Sequence, residues 1–270
     1  MWIAVRESAL QGNTWVELPI ARETEIERRL THAFRERYGA FVADMQSCAV
    51  LKPSIAAQLE NLAATILTMD AKRAIPQIEV ACGDEQDALV FRHLEPLSEQ
   101  DLETLRDFAR NSGISVLLQP KGPSSIVALE PSSVELSFAL PDFGVELAFG
   151  PSDFVQVNGA MNRRMVERAV SLLDPGEDDR VLDLFCGLGN FTLPIATRAG
   201  GVVGVEGDAE LVRKGSENAR RNGLDNAVFF MADLNAEPGG APGLKKGYNK
   251  VLVDPPRSGA ECILPHIAAS

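Results

Sequence analysis

The chain has 270 residues, 45% of them hydrophobic, which is enough for two ordinary domains with packed cores and argues against overall disorder. Its formal net charge of −12 argues against broad electrostatic attraction to nucleic acid, although a local basic patch still permits an RNA substrate. No apolar run reaches the length of a membrane span, and the start (Met-Trp-Ile-Ala-Val-Arg-Glu) meets charge too early for a secretory signal, so a cytoplasmic protein is the simplest reading.

Before residue 150 the pattern mixes strands and helices without a cofactor turn. Leu51–Met69 reads as a helix, with Pro53 in its first turn. Ile78–Ala81 and Ala88–His93 read as strands around a turn. Ser98 with Asp101 resembles a capping box that opens a helix to about Asn111, stopped by Gly113. Four strands follow: Ile114–Leu118, Ser125–Leu129, Val134–Phe138 and Val145–Phe149. Residues 1–150 are therefore expected to form an α+β domain without a catalytic constellation.

Residues 151–270 alternate differently. Asn158–Leu173 is predicted helical, then Val181–Phe185, Val202–Glu206, Ala227–Met231 and Lys250–Val253 as strands. Between them Phe191–Ala199 and Asp208–Asn222 are predicted helices, the second closed by Gly223. Strands alternating with helices imply a parallel sheet covered on both faces, a doubly wound α/β fold. Residues 236–247, with Pro and several Gly, read as a loop. Ser258–Ala269 is predicted helical. A complete sheet of this kind would continue beyond it, so the sequence reads as cut short at its C-terminus.

The most informative stretch is Asp183-Leu-Phe-Cys-Gly-Leu-Gly-Asn-Phe191, between a strand and a helix. Gly187 and Gly189 permit a tight turn and close backbone approach to a ligand. Glu206 ends the next strand 19 residues after Gly187, where doubly wound folds place the carboxylate that grips ribose hydroxyls. Asp183 can face the cationic end of S-adenosylmethionine or hold the loop by accepting N–H bonds. Phe185 can lie against adenine, and Asn190 can bond the amino-acid end of such a donor. Asp233, at the next strand end, can reach the adenine amino group or cap a turn. Asp254-Pro-Pro-Arg257 follows another strand, and its prolines stiffen a loop aimed at the same crevice. Enzymes that methylate exocyclic amines typically place an aromatic residue after the two prolines. Arg257 stands there instead, which points toward carbon as the methyl acceptor. Gln156, in Phe154-Val-Gln-Val-Asn158, can bond the donor or a base edge, or be a satisfied amide at a buried strand end. A nicotinamide loop would have glycine where Thr192 stands, so a dinucleotide oxidoreductase is disfavoured.

Cys48, Cys82, Cys186 and Cys262 are scattered, with no Cys-x-x-Cys, which fits a reducing compartment and suggests no zinc site. Arg163, Arg164 and Arg168 cluster on one predicted helix, and Arg213, Lys214, Arg220 and Arg221 on another. Solvated helix faces are the plainer reading of both clusters.

With these pieces placed, the chain resembles bacterial 23S ribosomal RNA uracil-5-methyltransferases of the RumA (RlmD) type. The likeness rests on Phe154-Val-Gln-Val-Asn158, Val181 through Pro194, Val203-Gly-Val-Glu206, Asn218-Ala-Arg with Asn222-Gly-Leu, and Asp254-Pro-Pro-Arg-Ser-Gly259. Earlier matches are Phe34-Arg-Glu-Arg37, Val42 to Cys48 and Arg92 to Leu97, so the likeness runs over about residues 34–270. The resemblance implies an S-adenosyl-L-methionine-binding Rossmann-like domain whose donor site is lined by Gln156, Phe185, Asn190, Glu206, Asp233 and Asp254. It implies 23S ribosomal RNA as partner and methylation of uracil C5, with a cysteine thiolate adding first to C6. It places that cysteine and the general-base glutamate beyond Ser270, so this chain alone is expected to be inactive and to carry no catalytic residue. Cys48 matches one ligand of the family's 4Fe-4S cluster. The other three ligands have no match here, and one thiolate cannot hold a cluster. A non-catalytic module binding the donor or RNA, and a transfer-RNA uracil-5-methyltransferase, are the alternatives.

Overall fold

The structure, a computed structural model, describes residues 3–7, 14–16, 48, 51–234, 242–244, 247–256, 259–261 and 263. The chain divides into two compact units, residues 1–136 with 150–152, and residues 137–149 with 153–270.

The first unit is built on a six-stranded mixed sheet. Its strands are β1 (Ile3–Glu7), β2 (Thr14–Val16), β3 (Gln77–Cys82), β4 (Asp87–Arg92), β5 (Ser115–Gln119) and β6 (Val127–Glu130), in the spatial order β2-β1-β3-β4-β5-β6. β3 and β4 form an antiparallel hairpin, with Ile78 opposite Phe91. β4 and β5 run parallel, as a helical crossover requires. Alternate residues Ile78, Leu89, Phe91 and Val116 share a core with Ile55, Leu62, Ile66, Leu105 and Phe108 from the helices. Each such side chain contributes about 1.5–3 kcal/mol by leaving water.

The helix expected over Leu51–Met69 is two: α1 (Pro53–Ala56) and α2 (Leu59–Thr68), parted at Ala57 and Gln58. Helix α3 (Glu99–Ser112) starts at Ser98, whose hydroxyl accepts the Asp101 N–H at 3.1 Å, and stops at Gly113. The reciprocal half of the capping box does not form. The Asp101 carboxylate, 1% exposed, instead accepts the N–H groups of Asp70 and Ala71, at 2.7 and 3.1 Å. The Ser98–Asp101 spacing suggests a local cap; the folded chain offers two orphan donors some 30 residues upstream.

The second unit holds a four-stranded, wholly parallel sheet: β9 (Arg180–Leu184), β10 (Gly201–Glu206), β11 (Ala227–Met231) and β12 (Lys250–Val253), ordered β11-β10-β9-β12. α4 (Gly159–Leu173) precedes it, and α5 (Thr192–Ala196) and α6 (Ala209–Arg221) connect its strands. This is the expected α/β, Rossmann-like class. Asn158 caps α4 through the Met161 N–H, and Asp208 caps α6 through the Glu210 and Leu211 N–H groups.

A hairpin of β7 (Leu136–Leu140) and β8 (Val145–Phe149) groups largely with this second unit, ahead of the change in periodicity at residue 150. The reason is on α6. The Asn218 amide donates to the Ala148 carbonyl and accepts the Ala148 N–H, both at 3.0 Å. One turn later Asn222 does the same with Glu146. Two side chains thus imitate a neighbouring strand along one edge of β8.

Of the helix predicted over Ser258–Ala269, residues 258, 262 and 264–269 lie outside the described residues, as does most of the 236–247 loop. Residues 259–261 and 263 are not helical. No helix among the described residues is long and apolar enough to cross a membrane.

Candidate functional site

In the parallel sheet, β10 and β11 follow β9 on one side, while β12 lies on the other. Successive crossovers therefore diverge at β9 and leave a crevice beyond the strand ends, the place where open α/β sheets bind ligands. Register aligns those ends: Leu184 lies beside both Val205 and Val253, and Glu206 beside Met231. Phe185, Glu206, Asp233 and Asp254 consequently gather at one edge of the sheet.

The turn after β9 is shaped by its backbone. Phe185 takes φ +63°, unusual for a bulky residue, and the Phe185 and Cys186 N–H groups both reach the Val205 carbonyl, at 2.9 and 3.2 Å. Gly187 has φ +56°, and a Cβ there would meet nothing within 4 Å, so the turn is open on that side. Gly189 has φ +103°, and a Cβ there would lie 3.1 Å from Leu193 and 3.2 Å from Phe229. The first glycine leaves room and the second avoids a collision.

Glu206 faces this turn. Its Oε2 accepts the Gly187 N–H at 3.0 Å, and its Oε1 accepts those of Gly207 at 2.7 Å and Asp208 at 3.2 Å. A carboxylate has about four acceptor sites, so capacity remains for further donors. The Ala232 N–H bonds the Glu206 carbonyl at 2.9 Å, which sets the exposed Asp233 just past the same edge.

Asp183 lies beneath, 0% exposed, between Gly204 and Leu252 in register. Its Oδ2 accepts the Thr192 hydroxyl, while its Oδ1 has no partner. Burial pushes its carboxyl up to about 7, opposed by the Thr192 hydrogen bond and reinforced by the Asp254 and Glu206 charges. Asp183 is thus tied to the first residue of α5 through the Thr192 hydroxyl. Thr192, where a nicotinamide loop would have glycine, is the donor. Asp254 donates its N–H to the Leu184 carbonyl at 3.3 Å; its carboxyl has solvent access, yet the surrounding protein raises its pKa.

Asn190 is held differently. Its amide and that of Asn162 on α4 exchange two hydrogen bonds, each 2.9 Å. Half-buried Gln156 lies on the approach to α4; among the hydrogen bonds of the described residues, none ties it directly to the strand ends. The glycine turn, which carries Asn190, therefore converges with Glu206, Asp233 and Asp254; α4 is tied to it through Asn162, and Gln156 follows only by chain continuity.

Sequence reading passed over Asn162 and gave Asn218 no role. Asn162 falls on the buried stripe of α4 with Val166 and Val170, so an amide recurring at an apolar position was the available signal. Asn218, 1% exposed, also donates to the Leu188 carbonyl within the glycine turn, at 3.3 Å.

The thiols of Cys82 and Cys186 are not poised for attack. Burial pushes Cys82 up to about 12, helped by neighbouring Asp87, and holds Cys186 well above its ordinary value, helped by Asp183 and Glu206. Cys48 is buried, Cys262 lies outside the described residues, and no group of three metal-ligating side chains occurs among those described. On the basic helix faces, Arg213 pairs with Glu210 and Glu217, Lys214 with Asp153, and Arg163 donates to the Ala139 carbonyl.

Comparison with known proteins places this arrangement. A family profile described as tRNA (Uracil-5-)-methyltransferase matches residues 46–238. The 23S rRNA (uracil(1939)-C(5))-methyltransferase RlmD of Xanthomonas axonopodis pv. citri (strain 306) is 50% identical over 264 residues, covering 96% of this chain and 59% of that protein. The protein of the same name from Stenotrophomonas maltophilia (strain K279a) is 48% identical over 246 residues, covering 91% of this chain and 55% of that protein. The chain thus spans about three fifths of the length of the curated relatives it matches. The solved Pyrococcus abyssi tRNA (uracil-54, C5)-methyltransferase in complex with S-adenosyl-L-homocysteine aligns with a TM-score of 0.62 at 21% identity, over 87% of this chain and 60% of that one. At that identity the likeness concerns the fold.

Proposed function

Since the chain belongs to the tRNA (uracil-5-)-methyltransferase family, we propose that it carries the donor site of an enzyme that methylates uracil C5 in 23S ribosomal RNA with S-adenosyl-L-methionine. Ribosomal rather than transfer RNA is favoured by relatives near 50% identity that carry the ribosomal name. The α+β unit, residues 1–136 with 150–152, is proposed to face the RNA, and the unit of residues 137–149 with 153–270 to bind the donor.

The residues fit such a donor. The side of the turn at Gly187 is open, the Asp183 Oδ1 is a buried acceptor without a partner, and Glu206 is already turned to the mouth. Bound there, the donor supplies an electrophilic methyl group. Glu206 accepts the ribose hydroxyls, Asp233 the adenine amino group, and Phe185 flanks the ring. Asn190 and Gln156 bond the amino-acid end. Asp254, on its stiff Pro-Pro loop, stands nearest the acceptor base. The carboxylates of Glu206 and Asp254 give the crevice a negative field suited to a cationic donor. By the family resemblance, a cysteine thiolate activates uracil. The raised thiols of Cys82 and Cys186 agree with assigning it elsewhere.

The observation that carries this proposal is the Glu206 carboxylate held on the Gly187 N–H. Calorimetric titration with S-adenosylhomocysteine tests it: saturable binding to the wild type, lost or weakened in Glu206→Gln, is expected.

A further inference from the structure

Asn190 does not stand alone. Its carbonyl oxygen accepts one Asn162 N–H while its own N–H reaches the Asn162 oxygen, across 28 residues of sequence. A carboxamide has two N–H groups and two oxygen lone pairs. The exchange uses one of each on both residues and leaves one of each free. On Asn162 the remainder is sealed in, since that residue is 3% exposed. Asn190, by contrast, is only half-buried.

The pairing also couples the two orientations. Turning either amide alone would set oxygen against oxygen and N–H against N–H, so they turn together or not at all. Asn162 is the better anchored member. Its backbone N–H bonds the Asn158 carbonyl at 2.8 Å, Asn158 caps the same helix, and Val166 and Val170 bury the same face. On the next residue, the Arg163 guanidinium bonds the Ala139 carbonyl at 3.0 Å. The first turn of α4 therefore holds the backbone from which the Asn162 amide meets that of Asn190.

We infer that Asn162 is a positioning residue that sets selectivity for the amino-acid end of the donor, by fixing the sense in which Asn190 presents its amide. The inference rests on the reading of Asn190 as a donor contact. It makes Asn162 a determinant of ligand preference without contact to the ligand. Adenosine and ribose recognition, which fall to Glu206 and Asp233, lie outside its reach.

The test compares two ligands on the 270-residue chain: S-adenosylhomocysteine, which has the amino-acid end, and 5′-methylthioadenosine, which lacks it. Asn162→Asp is nearly isosteric but sets an oxygen against the Asn190 oxygen. It is expected to weaken S-adenosylhomocysteine roughly tenfold, the scale of one lost hydrogen bond, with 5′-methylthioadenosine unchanged within about twofold. Asn162→Ser, which removes the pairing without adding a charge, should give the same signature, and it keeps the test open if the Asp variant does not fold. Equal weakening of both ligands would reduce Asn162 to a structural role and overturn the inference. So would unchanged affinity for both. Wild type failing to bind either ligand overturns the donor-site reading itself, and the inference with it.

Discussion

Glu206 and Gly187 end and follow neighbouring parallel strands, and the carboxylate of the first accepts the backbone N–H of the second at 3.0 Å. This bond joins the two sequence signals that pointed to a cofactor, the glycine turn and the acid after the next strand. It also orients the acid before any ligand arrives, so little ordering cost remains to be met on binding. Replacing Glu206 with Ala strands the N–H groups of Gly187, Gly207 and Asp208. A loss of about 1–3 kcal/mol of stability is expected from urea unfolding, because exposure to solvent at the mouth lets water replace part of the acceptor.

The two glycines should respond differently to substitution. Gly189→Ala adds a Cβ 3.1 Å from Leu193 at φ +103° and is expected to destabilise by roughly 1–3 kcal/mol. Gly187→Ala meets no neighbour, so its stability cost is the φ +56° strain alone, about 1 kcal/mol. Its methyl group projects into the open side of the turn, where the donor is proposed to lie. Thermal melts together with S-adenosylhomocysteine titration should therefore show the larger stability loss at 189 and a binding loss at 187 out of proportion to its strain.

Asp183 should make both folding and binding depend on pH. Its folded pKa of about 7 lies above the ordinary 3.8, so the native state holds a proton that the unfolded chain releases first. Its contribution is most favourable below pH 4 and is lost as pH rises toward 7. Urea midpoints between pH 5 and 7.5 should fall less steeply in Asp183→Asn than in wild type. A cationic donor beside Asp183 favours the carboxylate, so binding near pH 6.5 should release protons. Calorimetry in buffers of different ionisation enthalpy reads that release, and the Asn variant should abolish it.

Much of the fold was legible in the sequence because its signals are local. Asp208 before an apolar-periodic run marks a helix start, Gly113 and Gly223 mark stops, and short apolar runs between helices mark parallel strands. What was not legible depends on partners distant in sequence. Asp101 serves residues 70 and 71 rather than its own cap, and nothing within its helix says so. The β7–β8 hairpin is claimed by α6 through Asn218 and Asn222, some 70 residues later. Within the site, the acids at strand ends were readable because strand ends converge by topology. The Asn162–Asn190 pair was not, since amide pairing leaves only a polar residue on an apolar stripe as its trace.

Asn218 should prove structural. Its amide satisfies both backbone groups of Ala148 and the Leu188 carbonyl while 1% exposed. Asn218→Leu leaves these groups buried without partners, and a cost of about 2–4 kcal/mol is expected in urea unfolding. Asn222→Leu, at a more exposed position, should cost less.

Cys186 should resist alkylation. Its thiol is 4% exposed, and burial with the nearby acids holds its pKa well above normal. Iodoacetamide at pH 8 should leave it unmodified in the folded chain and label it in urea, as mass spectrometry of the Cys186 peptide would reveal.

The decisive measurement is titration of the chain with S-adenosylhomocysteine, wild type beside Glu206→Gln. A saturable one-to-one isotherm for wild type is expected, with affinity roughly tenfold or more weaker in the variant, whose circular dichroism stays unchanged. Identical isotherms for the two proteins, or no heat from wild type at millimolar ligand, would contradict a donor site at these strand ends.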